Sequence, residues 1–132
     1  YVGGLAGYSA GSRISGCTVN VANSVTAADT GGSASEKMVC AGGLAGWLSA
    51  GRASQSVQKN TINITGSVAA KSPTATYTCA GGISGRLEGS STYVDGCTVN
   101  ITGSVSATGN HRSGSNTVAG GITGWTKGNP TI

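Results

Sequence analysis

The 132 residues include no Phe, two Pro, one Met and one His, with 5% aromatic and 9% charged side chains. Soluble domains average about 25% charged residues. A chain so poor in large side chains cannot fill the thick core of a helical bundle or a doubly wound sheet, and can only bury many small residues in a thin, regular layer. Low charge with recurring Val, Ile and Leu excludes a disordered tail. No apolar run approaches the roughly 18 residues of a spanning helix, so membrane insertion is not expected. The eight Lys and Arg against four Asp and Glu leave a formal charge of +4. These cations (Arg13, Lys37, Arg52, Lys59, Lys71, Arg86, Arg112, Lys127) are scattered rather than clustered along a phosphate track, so no nucleic-acid partner is expected. The groups that could do acid–base work, His111, Asp29, Asp95, Glu36 and Glu88, share no repeat position and fall in or beside turns. No enzyme and no cofactor are expected from such a set. No Cys-x-x-Cys or Cys/His spacing suggests a metal site.

What is abundant is small: Gly, Ser, Thr and Ala fill 74 of the 132 positions. They are ordered by repetition. Val-Gly-Gly-Leu-Ala-Gly (2–7), Ala-Gly-Gly-Leu-Ala-Gly (41–46), Ala-Gly-Gly-Ile-Ser-Gly (80–85) and Ala-Gly-Gly-Ile-Thr-Gly (119–124) start 39 residues apart each time. Between them lies a second segment, Cys-Thr-Val-Asn-Val-Ala-Asn-Ser-Val (17–25), Asn-Thr-Ile-Asn-Ile-Thr-Gly-Ser-Val (60–68) and Cys-Thr-Val-Asn-Ile-Thr-Gly-Ser-Val (97–105). Both segment types alternate apolar or small with polar residues at the period of 2 of a half-buried strand, and Cys79–Leu87 can be laid on Cys97–Val105. Starting each segment at Tyr1, Cys17, Cys40, Asn60, Cys79, Cys97 and Val118 gives spacings of 16 to 23 residues. A strand with a variable Ser/Gly-rich return at that period predicts an all-β parallel solenoid of about seven coils, roughly 20 residues each and some 30 to 35 Å long at the strand spacing of about 4.8 Å. In that arrangement the interior column alternates Gly with Val or Ile from coil to coil. Tyr1 stands where an initiator Met would and already lies inside a motif, so the chain is expected to be a single repeat domain over 1–132, processed or excised from a longer protein.

With 20-residue coils, Cys17 and Cys40 begin neighbouring coils, as do Cys79 and Cys97, which predicts the disulfides Cys17–Cys40 and Cys79–Cys97 in an oxidising compartment. Four buried free thiols are the alternative, and a 39-residue coil would instead bring Cys40 beside Cys79.

The Gly-Gly-Leu-Ala-Gly core, followed by a Ser/Gly return and a Cys-Thr-Val-Asn strand ending in Gly-Ser-Val, resembles the GLUG-motif repeats of bacterial surface proteins. Its Gly-Leu-x-Gly fits 4–7 and 43–46, relaxed to Gly-Ile-Ser-Gly at 82–85 and Gly-Ile-Thr-Gly at 121–124. The resemblance implies an extracellular, non-catalytic module of adhesins and cell-wall proteins.

On the outward row, Tyr8, Trp47, Arg86 and Trp125 place a large planar group on every second coil, about 9.6 Å apart. Such a stripe suits an interface with a neighbouring subunit or stacking on a surface glycan. Flat small-residue faces and open ends suit self-association, end to end or side by side, into a filament. The Thr rows suggest an ice-binding surface, but in 20-residue coils Ala and Gly interrupt them. Asn63 and Asn100 head glycosylation sequons. The expectation is a structural or adhesive module at the cell surface, with carbohydrate binding and ice binding as alternatives.

Overall fold

The computed structural model describes residues 1–31, 37–109 and 114–132. Among these residues there is no helix, and short strands wind into a parallel β-solenoid with five strands per turn. The first turn holds β1 (Val2–Gly3), β2 (Ala6–Ala10), β3 (Arg13–Ser15), β4 (Thr18–Val21) and β5 (Ser24–Ala28). The second holds β6 (Met38–Gly42), β7 (Ala45–Ser49), β8 (Gln55–Gln58), β9 (Thr61–Ile64) and β10 (Ser67–Lys71). The third holds β11 (Tyr77–Gly81), β12 (Ser84–Glu88), β13 (Thr92–Asp95), β14 (Thr98–Ile101) and β15 (Ser104–Thr108). A fourth turn starts with β16 (Asn116–Gly120) and β17 (Thr123–Lys127), after which Thr131 bridges to Tyr93. Stacked turns form sheet I (β1-β6-β11-β16), sheet II (β2-β7-β12-β17), sheet III (β3-β8-β13), sheet IV (β4-β9-β14) and sheet V (β5-β10-β15).

The solenoid therefore has about three turns instead of the expected seven coils. Cys40 pairs with Cys79 and Cys79 with Val118, the repeat of 39 separating Ser84 from Thr123 on sheet II. On sheet IV the steps are 43 and 37, because the second turn has extra residues between β7 and β8 and the first between β5 and β6. At about 4.8 Å per rung the rod is only about 15 to 20 Å long. The 20-residue unit is a half-turn. Each turn contains two similar strand–bend–strand arches, sheet I into sheet II through the Gly-Gly-Leu-Ala-Gly run and sheet IV into sheet V through the second segment, and their likeness produces the half-length period.

Register changes how the interior fills. Like stacks on like along the axis: Gly42 on Gly81, and Ile62 on Val19 and Val99. Small meets large across the bore within one turn. A Cβ placed on Gly4 would lie 2.8 Å from Val19, on Gly43 2.9 Å from Ile62, and on Gly82 2.9 Å from Val99. The Gly/Val complementarity expected between coils is thus real but runs across each turn. Leu44, Leu48, Val57, Ile62, Ile64, Val68 and Leu87 form the centre of the core, with Val39, Ala41 and Ala80 from sheet I. Cys40 and Cys79 alternate with Val39, Ala41 and Ala80 and lie on the opposite face of sheet I, although both are fully buried.

Close backbone approach explains the motif glycines. A Cβ on Gly42 or Gly81 would collide with the carbonyl of Ala45 or Ser84 across the arch. On Gly43 or Gly82 it would strike the carbonyl of the equivalent glycine in the next turn. On Gly85 and Gly124 it would fall 2.7 and 2.6 Å from the Ala41 and Ala80 carbonyls, where sheet II lies against sheet I. The hexamer is therefore what lets two sheets fold back on each other while turns stack.

Candidate functional site

The planar residues picked from the sequence form one column. Tyr8, Trp47, Arg86 and Trp125 pair in register on β2, β7, β12 and β17. They occupy successive rungs of sheet II rather than alternate coils, while Ser24, Ser67 and Ser104 of the second segment stack separately on sheet V. The Arg86 guanidinium lies between two indoles, its Cζ 4.2 Å from the Trp47 ring centroid and 4.8 Å from that of Trp125. Arg86 is 5% exposed. Its charge is met by Glu88 at 2.5 Å, with Lys127 3.6 Å from the other carboxylate oxygen, and it also contacts the Met38 sulfur. Tyr1 packs edge-on against Trp47 at 5.1 Å and Tyr8 lies 4.9 Å from the same ring, while Tyr77 lies 4.9 Å from Trp125. The aromatic faces are turned largely on one another and on Arg86. Tyr1, Met38, Tyr77 and Glu88, which complete the column, were not assigned to the stripe from the sequence. Met38 and Tyr77 pair in register two residues before Cys40 and Cys79, which was the available signal.

The cysteines sort by sheet. Cys40 and Cys79 are direct partners on sheet I, whereas Cys17 and Cys97 lead into sheet IV with Asn60 between their rungs. The expected pairs Cys17–Cys40 and Cys79–Cys97 would join different sheets, and all four are free thiols. Cys79 and Cys40 hydrogen-bond to each other, which together with burial pushes the Cys79 thiol up, while the same hydrogen bond holds Cys40 below its ordinary value. Buried Asn60 serves the other column: its Oδ1 accepts from the Cys17 N–H at 2.8 Å, and its Nδ2 donates to the Ile14 carbonyl at 3.0 Å.

Asn20, Asn63 and Asn100 make a surface ladder. Asn63 Nδ2 donates to Asn20 Oδ1, and Asn100 Nδ2 donates to Asn63 Oδ1, each at 2.8 Å. The sequon nitrogens of Asn63 and Asn100 are thus engaged inside β9 and β14. Beside them Thr18, Thr61 and Thr98 form an unbroken column. The interruption by Ala and Gly expected from 20-residue coils does not occur there.

Asp29 closes the corner between sheets V and I. Lys37 reaches its Oδ1 at 2.5 Å, and the Ser72 and Thr74 hydroxyls donate to Oδ2 at 2.9 and 3.2 Å. The Lys37 ammonium, followed by the Ser72 hydrogen bond, holds the carboxyl down to about 2. Asp95 ends β13. Glu36, His111 and Arg112 lie outside the described residues.

Both ends of the bore are open. At the end of the last turn a cleft of about 420 Å³ is lined by Ile83, Val94, Val99, Ile101, Ile122 and Ile132, among others. At the first turn a shallower groove runs along 19–25 beside Gly4.

This geometry defines a short parallel β-solenoid whose turns are closed by glycine arches. The GLUG motif matches residues 1–26, which hold the first arch, β1 to β4 and the start of β5, so the chain carries that motif, consistent with a GLUG-repeat protein. No curated protein and no solved structure matches.

Proposed function

We propose that the chain is a non-catalytic, extracellular structural module, a segment of an adhesin stalk or surface filament that associates with like modules. The observation that supports this reading is that, among the described residues, the first and last rungs expose bore side chains that the middle rungs bury. Leu5 in the first turn is 52% exposed and Ile122 in the last 44%, whereas Leu44 and Ile83 at the same positions are buried. Rungs with this apolar bore and open ladder accept a further rung, whether from a like module or from more of the same repeat. The sides are columns of Thr, Asn, Ser and Ala, and the aromatic column is occupied by its own Arg86. Sedimentation velocity and negative-stain electron microscopy of the purified chain test the proposal. Rods longer than one module are expected, and a strictly monomeric chain at high concentration would refute self-association.

A second reading rests on the Thr18–Thr61–Thr98 column beside the Asn ladder, a flat polar array at the rung spacing, which supports ice binding. Inhibition of ice recrystallisation by the chain and its loss in Thr61→Lys is the expected result under that reading; no inhibition rejects it.

A further inference from the structure

We propose that Cys40 and Cys79 form a redox pair: a low-molecular-weight disulfide converts them to a cystine that staples the second turn to the third, and reaches them only when the Trp47–Arg86–Trp125 column over them opens. Cys40 and Cys79 are direct parallel partners on β6 and β11, with a further rung of sheet I on either side. Their Cα atoms stand one rung apart, about 4.8 Å, inside the span of about 4.4 to 6.8 Å that a disulfide bridges. In-register partners share a face, and the two thiols already hydrogen-bond to each other. Every other pair of cysteines either spans two sheets or, like Cys17 and Cys97, is divided by the rung of Asn60. Two rungs are about 9.6 Å, beyond the reach of a disulfide.

Neither sulfur meets water: Cys40 and Cys79 are both 0% exposed, on the face of sheet I turned away from the bore. Met38 and Tyr77, two residues earlier and so on that same face, reach onto the column. The Met38 sulfur contacts the Arg86 guanidinium, and the Tyr77 ring lies 4.9 Å from Trp125. This cover is made of side chains, so it swings aside without breaking a ladder hydrogen bond, a local opening rather than a global one. Trp47 Nε1 and Arg86 Nε are buried without a partner, and opening gives both of them water, which lowers its cost.

Thiol–disulfide exchange then runs in two steps. The Cys40 thiolate attacks one sulfur of the small disulfide, which breaks its S–S bond, forms a mixed disulfide and expels one small thiolate. The Cys79 thiol loses its proton to solvent, and its thiolate attacks the Cys40 sulfur and expels the second. The pair gives up two protons and two electrons, and the small disulfide takes up both as two thiols. Cys40 is the group that attacks first, because the hydrogen bond from Cys79 favours its thiolate, as does the Arg86 charge.

The test incubates the folded chain with oxidised glutathione, quenches samples in acid over time and digests them without reduction. A Cys40–Cys79 linked peptide is expected. The linked chain should melt about 10 °C higher, the effect of closing a loop of this length, with the gain reversed by dithiothreitol and absent in Cys79→Ser. Trp47→Ala should speed the linkage at least about tenfold, whereas Val57→Ala, a truncation on β8 in the core, weakens the fold away from the column and should leave the rate unchanged. Circular dichroism confirms that both variants remain folded. Absence of the Cys40–Cys79 link, or an unchanged Tm once it has formed, overturns the staple. No acceleration in Trp47→Ala, or equal acceleration in Val57→Ala, overturns the gate.

Discussion

Two glycines at the same motif position should respond in opposite ways to the same substitution. Gly43 and Gly121 are both the second glycine of the Gly-Gly run. A methyl on Gly43 would strike the Gly82 carbonyl and approach Ile62 Cγ2 to 2.9 Å and Ile64 Cδ1 to 3.1 Å; at Gly121 nothing lies within 4 Å. The obstacle at Gly43 is backbone in a neighbouring rung, which cannot retreat without opening the ladder. Overpacking typically costs about 1 to 3 kcal/mol, and a rigid obstacle puts Gly43→Ala at the upper end, near 3 kcal/mol. Alanine stiffens the unfolded chain and returns about 0.4 to 1 kcal/mol, leaving a net loss of about 2 to 2.5 kcal/mol. For a domain of this length that lowers Tm by roughly 8 to 10 °C. Gly121→Ala has no obstacle, and its expected effect is zero to a gain of about 1 kcal/mol. Thermal melts followed by far-UV circular dichroism decide the matter. Equal losses in the two variants would refute the stacking of each Gly-Gly run on the next turn, and with it the 39-residue coil.

Other expectations follow from the same geometry. Glu88→Gln strands the buried Arg86 charge and should cost about 3 kcal/mol, whereas Arg86→Met removes charge and desolvation together, keeps sulfur–aromatic contact, and should cost about 1 kcal/mol; urea melts giving the reverse order would show that the column is not electrostatic. Asp29 has a folded pKa of about 2, below its ordinary 3.8, so its stabilisation is complete above that ordinary value and is lost as pH falls through about 2. Tm measured between pH 5 and pH 2 should therefore fall less steeply in Asp29→Asn, and parallel curves would refute the latch. Oxidation with a small-molecule disulfide should join Cys40 to Cys79, partners on adjacent rungs within disulfide reach, and leave Cys17 and Cys97 free. A Cys17–Cys40 peptide in a non-reducing digest would contradict the register.

Much of this fold was legible in the residues. Period-2 alternation in 17–25, 60–68 and 97–105 gave parallel strands, and the hexamers marked the arches. The turn length was misjudged because the arch of sheets I and II and that of sheets IV and V share strand length, alternation and a central glycine, so Cys79–Leu87 superposes on Cys97–Val105 although the two lie on different sheets. The discriminating signal was regularity: the hexamers recur at an invariant 39, whereas half-units range from 16 to 23. Stacked strands can share a column only if the connections absorb the variation in length, and here the extra residues fall between β5 and β6 and between β7 and β8. Corners were less visible. The bend into sheet IV has a left-handed residue in each turn, Gly16, Lys59 and Gly96 with φ of 69°, 53° and 58°, and the lysine hides the pattern from a search for glycine. The Asp29–Lys37 latch joins residues eight positions apart in the sequence, and nothing in their spacing announces a contact.

Correct register also relocates where recognition can occur. Under 20-residue coils the planar residues were spaced widely and free to meet a partner. On adjacent rungs they lie within van der Waals reach, and Arg86 takes up the indole faces on either side. The column then acts first as a clasp over the arch of sheets I and II, covering the face of sheet I that carries Cys40 and Cys79. A solenoid whose sides stack like on like presents the same small groups at every rung, so its sides offer little to tell one position from another. Its ends differ from each other and from the sides: one has a groove beside Gly4 and a free Asn20 amide, the other a cleft over Val99 and Ile101 and a free Asn100 carbonyl. The Asn ladder runs in one direction, each amide donating to the carbonyl of the turn before it, so the two ends of the described turns are chemically distinct where the sides are uniform.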